Sequence, residues 1–88
     1  MHIFEYDPNK SQINFENHCI DFEEAKLLWD DPDLVEIPAN TSDEPRFVVI
    51  AFHNGKHWSA VITYRNNKIR IISVRRSRKN EVKFYESF

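Results

Sequence analysis

The sequence predicts an α+β domain, with helices first, then a small antiparallel sheet and a C-terminal helix. Three observations carry this. Eighty-eight residues are room for one domain, spanning residues 1–88. Phe22, Ala25, Leu28 and Trp29 recur at helical spacing behind Asp21. From Arg46 onward, three strand-like runs are separated only by Asn54-Gly55 and Asn66-Asn67, both turn signals. Helices followed by strands argue for helices on one face of the sheet.

The elements follow in order. Ile3–Tyr6 is a short apolar-rich stretch suited to an edge strand. Asp7-Pro8 starts a helix, with Asp as N-cap and Pro at the first helical position. This first helix runs to about His18. Asp21 caps a second helix, Phe22 to about Asp30. Glu23 and Glu24 sit in its first turn, where the helix dipole favours acids. Asp31-Pro32 ends it. Leu34–Ile37 reads as a short strand and Ala39–Pro45 as a loop.

Three strands are then predicted over Arg46–His53, Trp58–Arg65 and Lys68–Arg75. Their short turns make neighbours antiparallel, so they form a meander. Strict alternation gives Trp58, Ala60, Ile62 and Tyr64 one face of the second strand. In the third strand it groups Ile69, Ile71, Ser73 and Arg75 against Arg70, Ile72, Val74 and Arg76. Ser77 is the expected N-cap of a last helix, Arg78 to Glu86, with Val82 and Tyr85 on one side. Phe47, Val49, Ile50, Ile62, Ile71 and Ile72 read as core.

Composition excludes several classes. At 41% hydrophobic and 14% aromatic, the chain is too apolar to be disordered. No apolar run approaches the length of a membrane span. The first residues lack the basic and apolar regions of a secretion signal. One cysteine, Cys19, forms no internal disulfide and excludes paired-cysteine zinc modules. No cation adjoins it to make a reactive thiolate. The expected compartment is the cytoplasm.

The net charge of −2 hides a segregation. Residues 1–45 hold 12 acids against 2 bases, a balance of −10. Residues 46–88 hold 10 bases against 2 acids, a balance of +8. Such asymmetry points to a polyanion for the basic half or a basic partner for the acidic half. The acids Glu23, Glu24, Asp30, Asp31 and Asp33 read as a solvated face or partner patch rather than a metal site.

Phosphate recognition is the chemistry the basic half suits, because the arginine fork holds two phosphate oxygens and stays charged. Arg46, Arg65 and Arg75 lie on neighbouring strands of the meander and are expected to converge on one phosphate. Each is otherwise a solvated strand-end charge. Arg70 has the same choice, or pairs with an acid such as Glu81. Arg76 adds to the basic rim. Lys10 contacts phosphate or lies on a solvated helix face. His18, His53 and His57 are candidate bases, since histidine titrates near neutrality. Tyr85 donates a proton, stacks on a base, or packs the last helix on the sheet with Val82.

A series of motifs carries a family resemblance. Phe4-Glu5-Tyr6-Asp7-Pro8-Asn9-Lys10 is similar to an FEWDxxK opening. Asn14 with His18 matches N-x-x-K-H-G, with Asn17 and Cys19 where the Lys and Gly stand. Phe22-Glu23-Glu24-Ala25 matches FEEA, followed by Asp31-Pro32 for its DP. Glu44 and Arg46 match an acid-then-Arg pair before a strand, and Ala51 stands for a usual Gly. Thr63-Tyr64-Arg65 matches T-x-R. Arg70-Ile71-Ile72-Ser73-Val74-Arg75 resembles RIISAR, with Val74 for Ala. Glu81 and Tyr85 match E-x-x-x-Y. In this order and spacing, over nearly the whole chain, the motifs resemble the BrnT family of type II toxin–antitoxin toxins.

The resemblance implies a RelE-like fold and an endoribonuclease that blocks translation without a metal or cofactor. It implies Arg46, Arg65, Arg75, His18 and Tyr85 as catalytic residues, with Lys10, Arg70, Arg76 and Glu81 binding substrate. It also implies neutralisation by a BrnA-like DNA-binding antitoxin in a hetero-oligomer, which reaches operator DNA only through the antitoxin, with no membrane role. Two other functions suit the same basic surface: a non-catalytic nucleic-acid-binding module, and an inactive toxin relic that binds only a protein partner.

Overall fold

Two aspartates start the helical layer. The computed structural model of the chain describes residues 2–40 and 43–88. The Asp7 carboxylate accepts the Asn9 backbone N–H at 2.8 Å and opens α1, Pro8–His18. The Asp21 carboxylate accepts the Glu24 N–H at 2.8 Å and opens α2, Phe22–Ala25. The expected second helix keeps α geometry only that far. Lys26–Asp30 continues it as a 3₁₀ helix, the tighter winding common at helix ends. Leu28 is buried while Leu27 stays out. Cys19 ends α1 in the left-handed region, φ 62°, and its N–H bonds the Phe15 carbonyl. That is the position glycine favours, having no Cβ to clash.

Among the described residues five strands form one sheet in the order β1-β5-β4-β3-β2. They are β1 (Phe4–Glu5), β2 (Val35–Ala39), β3 (Arg46–His53), β4 (Lys56–Arg65) and β5 (Lys68–Arg76). The meander β3-β4-β5 is as predicted. Asn54, Gly55, Asn66 and Asn67 all take positive φ, which two-residue hairpin loops require. β2 starts one residue later than expected and absorbs Ala39, so the predicted loop shortens to 40–45, of which Thr41 and Ser42 fall outside the described residues. β1 corrects the expectation of a purely antiparallel sheet. It pairs in parallel with β5, Phe4 beside Ile69 and Glu5 beside Arg70. A strand with no hairpin link to its neighbour is free to run either way.

The cross-strand register slips once, between Val61–Ser73 and Ile62–Ile71, leaving Ile72 without a partner. This β-bulge reverses the alternation of β5. Ile69, Ile71 and Val74 therefore share the buried face with Trp58, Ala60, Ile62, Val49 and Ala51. Ile20, Phe22, Ala25 and Leu28 complete that core. Burying one such side chain as large as Phe22 contributes about 1.5–3 kcal/mol. Ile72, expected in the core, is only half-buried.

Asn14 fastens α1 to the edge of β5. Its side chain donates to the Ile20 carbonyl at 2.7 Å and accepts the Val74 N–H at 3.0 Å. The third helix, α3 (Lys79–Glu86), corrects the one-face expectation. It packs against β3 and reaches Ser59, which alternation places opposite the core. Ile50, cross-strand to Ser59, is fully buried on that side. Helices thus cover both faces, α3 only part of its own. The predicted Ser77 cap is also off by one. The Ser77 N–H continues the sheet to the His57 carbonyl, and its hydroxyl meets Ser59 Oγ at 2.8 Å. Arg78 starts the helix instead, its N–H held by the Glu81 carboxylate at 2.8 Å. Among the described residues no helix is long and apolar enough to cross a membrane.

Candidate nucleic-acid interface

The bulge decides where the arginines point. Arg70 and Arg75 lie five residues apart. In an uninterrupted strand that odd spacing sends them to opposite faces. With Ile72 inserted, both share the face of Arg65 on β4 and Arg46 on β3. The alternation expected from sequence, which separated Arg70 from Arg75, is corrected here. α3 covers the Ile50–Ser59 end of this face. Val48, Val61 and Ile72 stay half-exposed beyond it.

The arginines divide into two stations. Arg65 donates to Glu44 at 2.9, 3.2 and 3.3 Å, and its bonds and charge hold the Glu44 carboxyl below its usual range. The charges of Arg46 and Arg70 act on the same carboxyl in the same direction. Arg70 also lies 3.8 Å from Glu5 across the β1–β5 pair. Arg75 stands apart. It is cross-strand to Ser59, six residues along β4 from Arg65. At ~3.3 Å per residue that is about 20 Å. Arg46 and Arg65 both act on Glu44, but Arg75 does not join them on a single phosphate.

Arg75 is held by Glu81. Two parallel hydrogen bonds, 2.7 and 2.8 Å, join guanidinium and carboxylate. Glu81 also accepts the Ser59 hydroxyl at 3.0 Å and the Arg78 N–H. The Arg75 bonds first, then those of Arg78 and Ser59, outweigh burial and hold Glu81 down at about 2. Glu81 is thus a saturated, ionised acceptor that orients Arg75 and starts α3. The alternative that Arg70 pairs with Glu81 is corrected, since the partner of Glu81 is Arg75 and the acid beside Arg70 is Glu5.

Tyr85 donates its hydroxyl proton to Asp31 at 2.7 Å and sets its ring edge-on to His57, centroids 5.1 Å apart. Burial, then the Asp31 bond, pushes Tyr85 up to about 12. Such a phenol holds its proton near neutrality, which suits a strap between α3 and Asp31. His57 is on the arginine face, its ring 4.9 Å from that of Phe52. His53 faces the other way and contacts Glu24 at 3.0 Å. His18 lies exposed in the last turn of α1 and Lys10 exposed in its first. α1 packs at the core side of β5, so neither joins the arginine stations. Arg76 points to the core side and covers the Trp58 ring at 5.7 Å.

The sequence placed Asp31 only at a helix end and on a solvated face or partner patch. Its carboxylate accepts the Phe52 N–H at 2.7 Å, the Tyr85 hydroxyl and the Asp33 N–H at 2.9 Å. Burial opposes its ionisation, but these bonds win and hold it below its ordinary value. The Asp-Pro motif was the only signal, and it reads equally as a helix stop. Among the described residues no three His, Cys, Asp or Glu side chains are grouped to hold a metal.

The chain matches the family model described as "Ribonuclease toxin, BrnT, of type II toxin-antitoxin system" over residues 6–81. No curated protein matches it.

Proposed function

This chain belongs to the BrnT family of ribonuclease toxins of type II toxin–antitoxin systems, and from that membership we propose that it is an endoribonuclease whose RNA lies along the arginine face. The observation that carries the reading is the bulge at Ile72, which sets Arg46, Arg65, Arg70 and Arg75 on one partly uncovered sheet face. A run of about 20 Å suits several phosphates of a single strand better than one.

Cleavage without a metal needs a base for the ribose 2′-OH, cations for the anionic phosphorane, and an acid for the leaving 5′-oxygen. The 2′-oxygen bonds to phosphorus, the P–O5′ bond breaks, and the products are a cyclic phosphate and a 5′-hydroxyl. Arg75 is the reading's phosphorane cation, since Glu81 fixes its orientation. Arg46, Arg65 and Arg70 hold the neighbouring phosphates. His57 is the preferred base among the histidines. It shares the arginine face and lies two residues from Ser59, the cross-strand partner of Arg75. Supporting roles for His18, Lys10 and Arg76 require RNA to wrap past the sheet edge.

The proposal extends to the partner. A BrnA-like antitoxin neutralises the chain in a cytoplasmic hetero-oligomer and supplies the contact to operator DNA. The test is purified protein with RNA and chelator, beside Arg75→Ala. Specific cleavage products, lost in the variant, are expected. Intact RNA with no growth arrest on expression overturns the enzymatic reading.

One observation favours a binding-only module instead. Arg65 and Arg75 each already face a carboxylate, Glu44 and Glu81. A salt-dependent gel shift without cleavage products selects that reading.

A further inference from the structure

An open groove of about 450 Å³ lies where the 3₁₀ helix, the β3–β4 hairpin and the end of α3 meet. It belongs to neither arginine station. Part of its wall is apolar: Leu27 is 47% exposed and Phe52 46%, both large side chains that the core leaves out, while Asn54 and His53, the latter held by Glu24 at 3.0 Å, line the rest. The Tyr85 ring and Pro32 extend the apolar part. Asp30 and Asp33 stand exposed at its rim. Asp31 is fixed between them by its three donors, so its charge does not swing away.

Apolar surface beside three carboxylates, Asp31 among them fixed, selects one kind of occupant. A phosphate is repelled by three aspartates. A purely aliphatic segment strips water from their charges with nothing in return. A lysine or arginine satisfies both features, because its methylene stem lies on apolar surface while its head stays with the acids. The volume is at the small end of ligand-site sizes, room for one or two side chains. The surrounding acidic half, at −10, steers such a segment inward.

We propose that this groove receives a basic segment of the neutralising partner, a lysine or arginine laid along Leu27 and Phe52 with its cationic head between Asp30 and Asp33. The partner's identity rests on the antitoxin reading above; the chemistry of the segment rests on the groove. The arginine stations and this groove are then two sites, one for phosphate and one for protein, that meet at His57, whose ring touches Phe52 and Tyr85.

The experiment uses the full chain and the small protein encoded beside it, measured by calorimetry. The double variant Asp30→Lys, Asp33→Lys is expected to lose tenfold or more in affinity. The control Glu16→Lys, Glu86→Lys carries the same charge change at exposed positions outside the groove and is expected to stay within twofold. Thermal melting confirms that both variants fold. A partner with the docking Lys or Arg changed to Glu is expected to restore affinity to the groove variant alone. Equal losses in both variants, no loss in the groove variant, or no binding by the wild-type chain overturns the inference. So does a scan of partner peptides in which the groove-dependent segment is acidic or wholly apolar. RNA cleavage is read in parallel. If the chain never cleaves RNA but binds its partner through the groove, the enzymatic reading fails and this one stands.

Discussion

Arg75 and Glu81 face each other fork to fork, at 2.7 and 2.8 Å, and this pair clamps α3 to the last strand of the sheet. α3 has no fully buried residue, so the clamp matters more here than on a helix with a deep apolar stripe. Glu81 is 11% exposed and Arg75 25%.

The clamp makes stability acid-sensitive. Glu81 is depressed to about 2 from 4.5. A depressed carboxyl contributes stability that is present above its unfolded value and lost as pH falls through its folded one. Between pH 4.5 and 2 the protein is expected to lose on the order of 2 kcal/mol through this group, discounted for screening. Denaturant titrations of wild type and Glu81→Gln across that window measure it. The variant starts less stable, and the gap closes as pH falls.

Cys19 occupies a glycine's place. Its φ of 62° costs an L-residue about 1–2 kcal/mol, part of which glycine gives back in unfolded-chain entropy. Cys19→Gly is expected to stabilise by about 0.5–1 kcal/mol in urea unfolding, and Cys19→Val to destabilise by at least as much.

Asn14 is 6% exposed and bridges the Ile20 carbonyl and the Val74 N–H. Asn14→Ala leaves both backbone groups without a partner. The expected loss is about 2–4 kcal/mol by chemical denaturation. Asn14→Asp keeps the acceptor for Val74 but loses the donor to Ile20, and falls between.

RNA affinity reports the arginine stations through salt. Arg65→Ala and Arg70→Ala are each expected to weaken single-strand binding and to reduce the slope of log K against log salt by about 0.7. Arg76→Ala, on the core side, is expected to leave the slope unchanged. Filter binding at four salt concentrations separates them.

Tyr85 discriminates strap from acid. Tyr85→Phe is expected to lower stability by about 1–2 kcal/mol, the loss of a bond to a charged acceptor, while cleavage stays within a few-fold. A drop of a hundredfold or more with a changed pH profile makes Tyr85 the proton donor instead.

Much of the fold was legible because its signals are local. Asp7-Pro8 and Asp21 carry their caps within three residues. Asn54-Gly55 and Asn66-Asn67 set both hairpins by their tolerance of positive φ. The site was less legible because its facts are long-range. Asp31 meets Tyr85 across 54 positions, and Glu81 chooses Arg75 over Arg70 only once the strands are paired. Neither relation leaves a pattern in composition or period. The direction of β1 has no local signal either, since its partner strand lies at the far end of the chain.

Ile72 is a spacer that the last strand carries outside its ladder. Deleting this one residue leaves Ile71 opposite Ile62 on the core side and Arg70 opposite Thr63 on the arginine face, because Ile71 and Ser73 already alternate across the ladder. Point changes along β5 alter one contact each. Drawing Ile72 into the ladder exchanges inside for outside on one side of it, so the layout of charge depends on this residue staying out of the pairing.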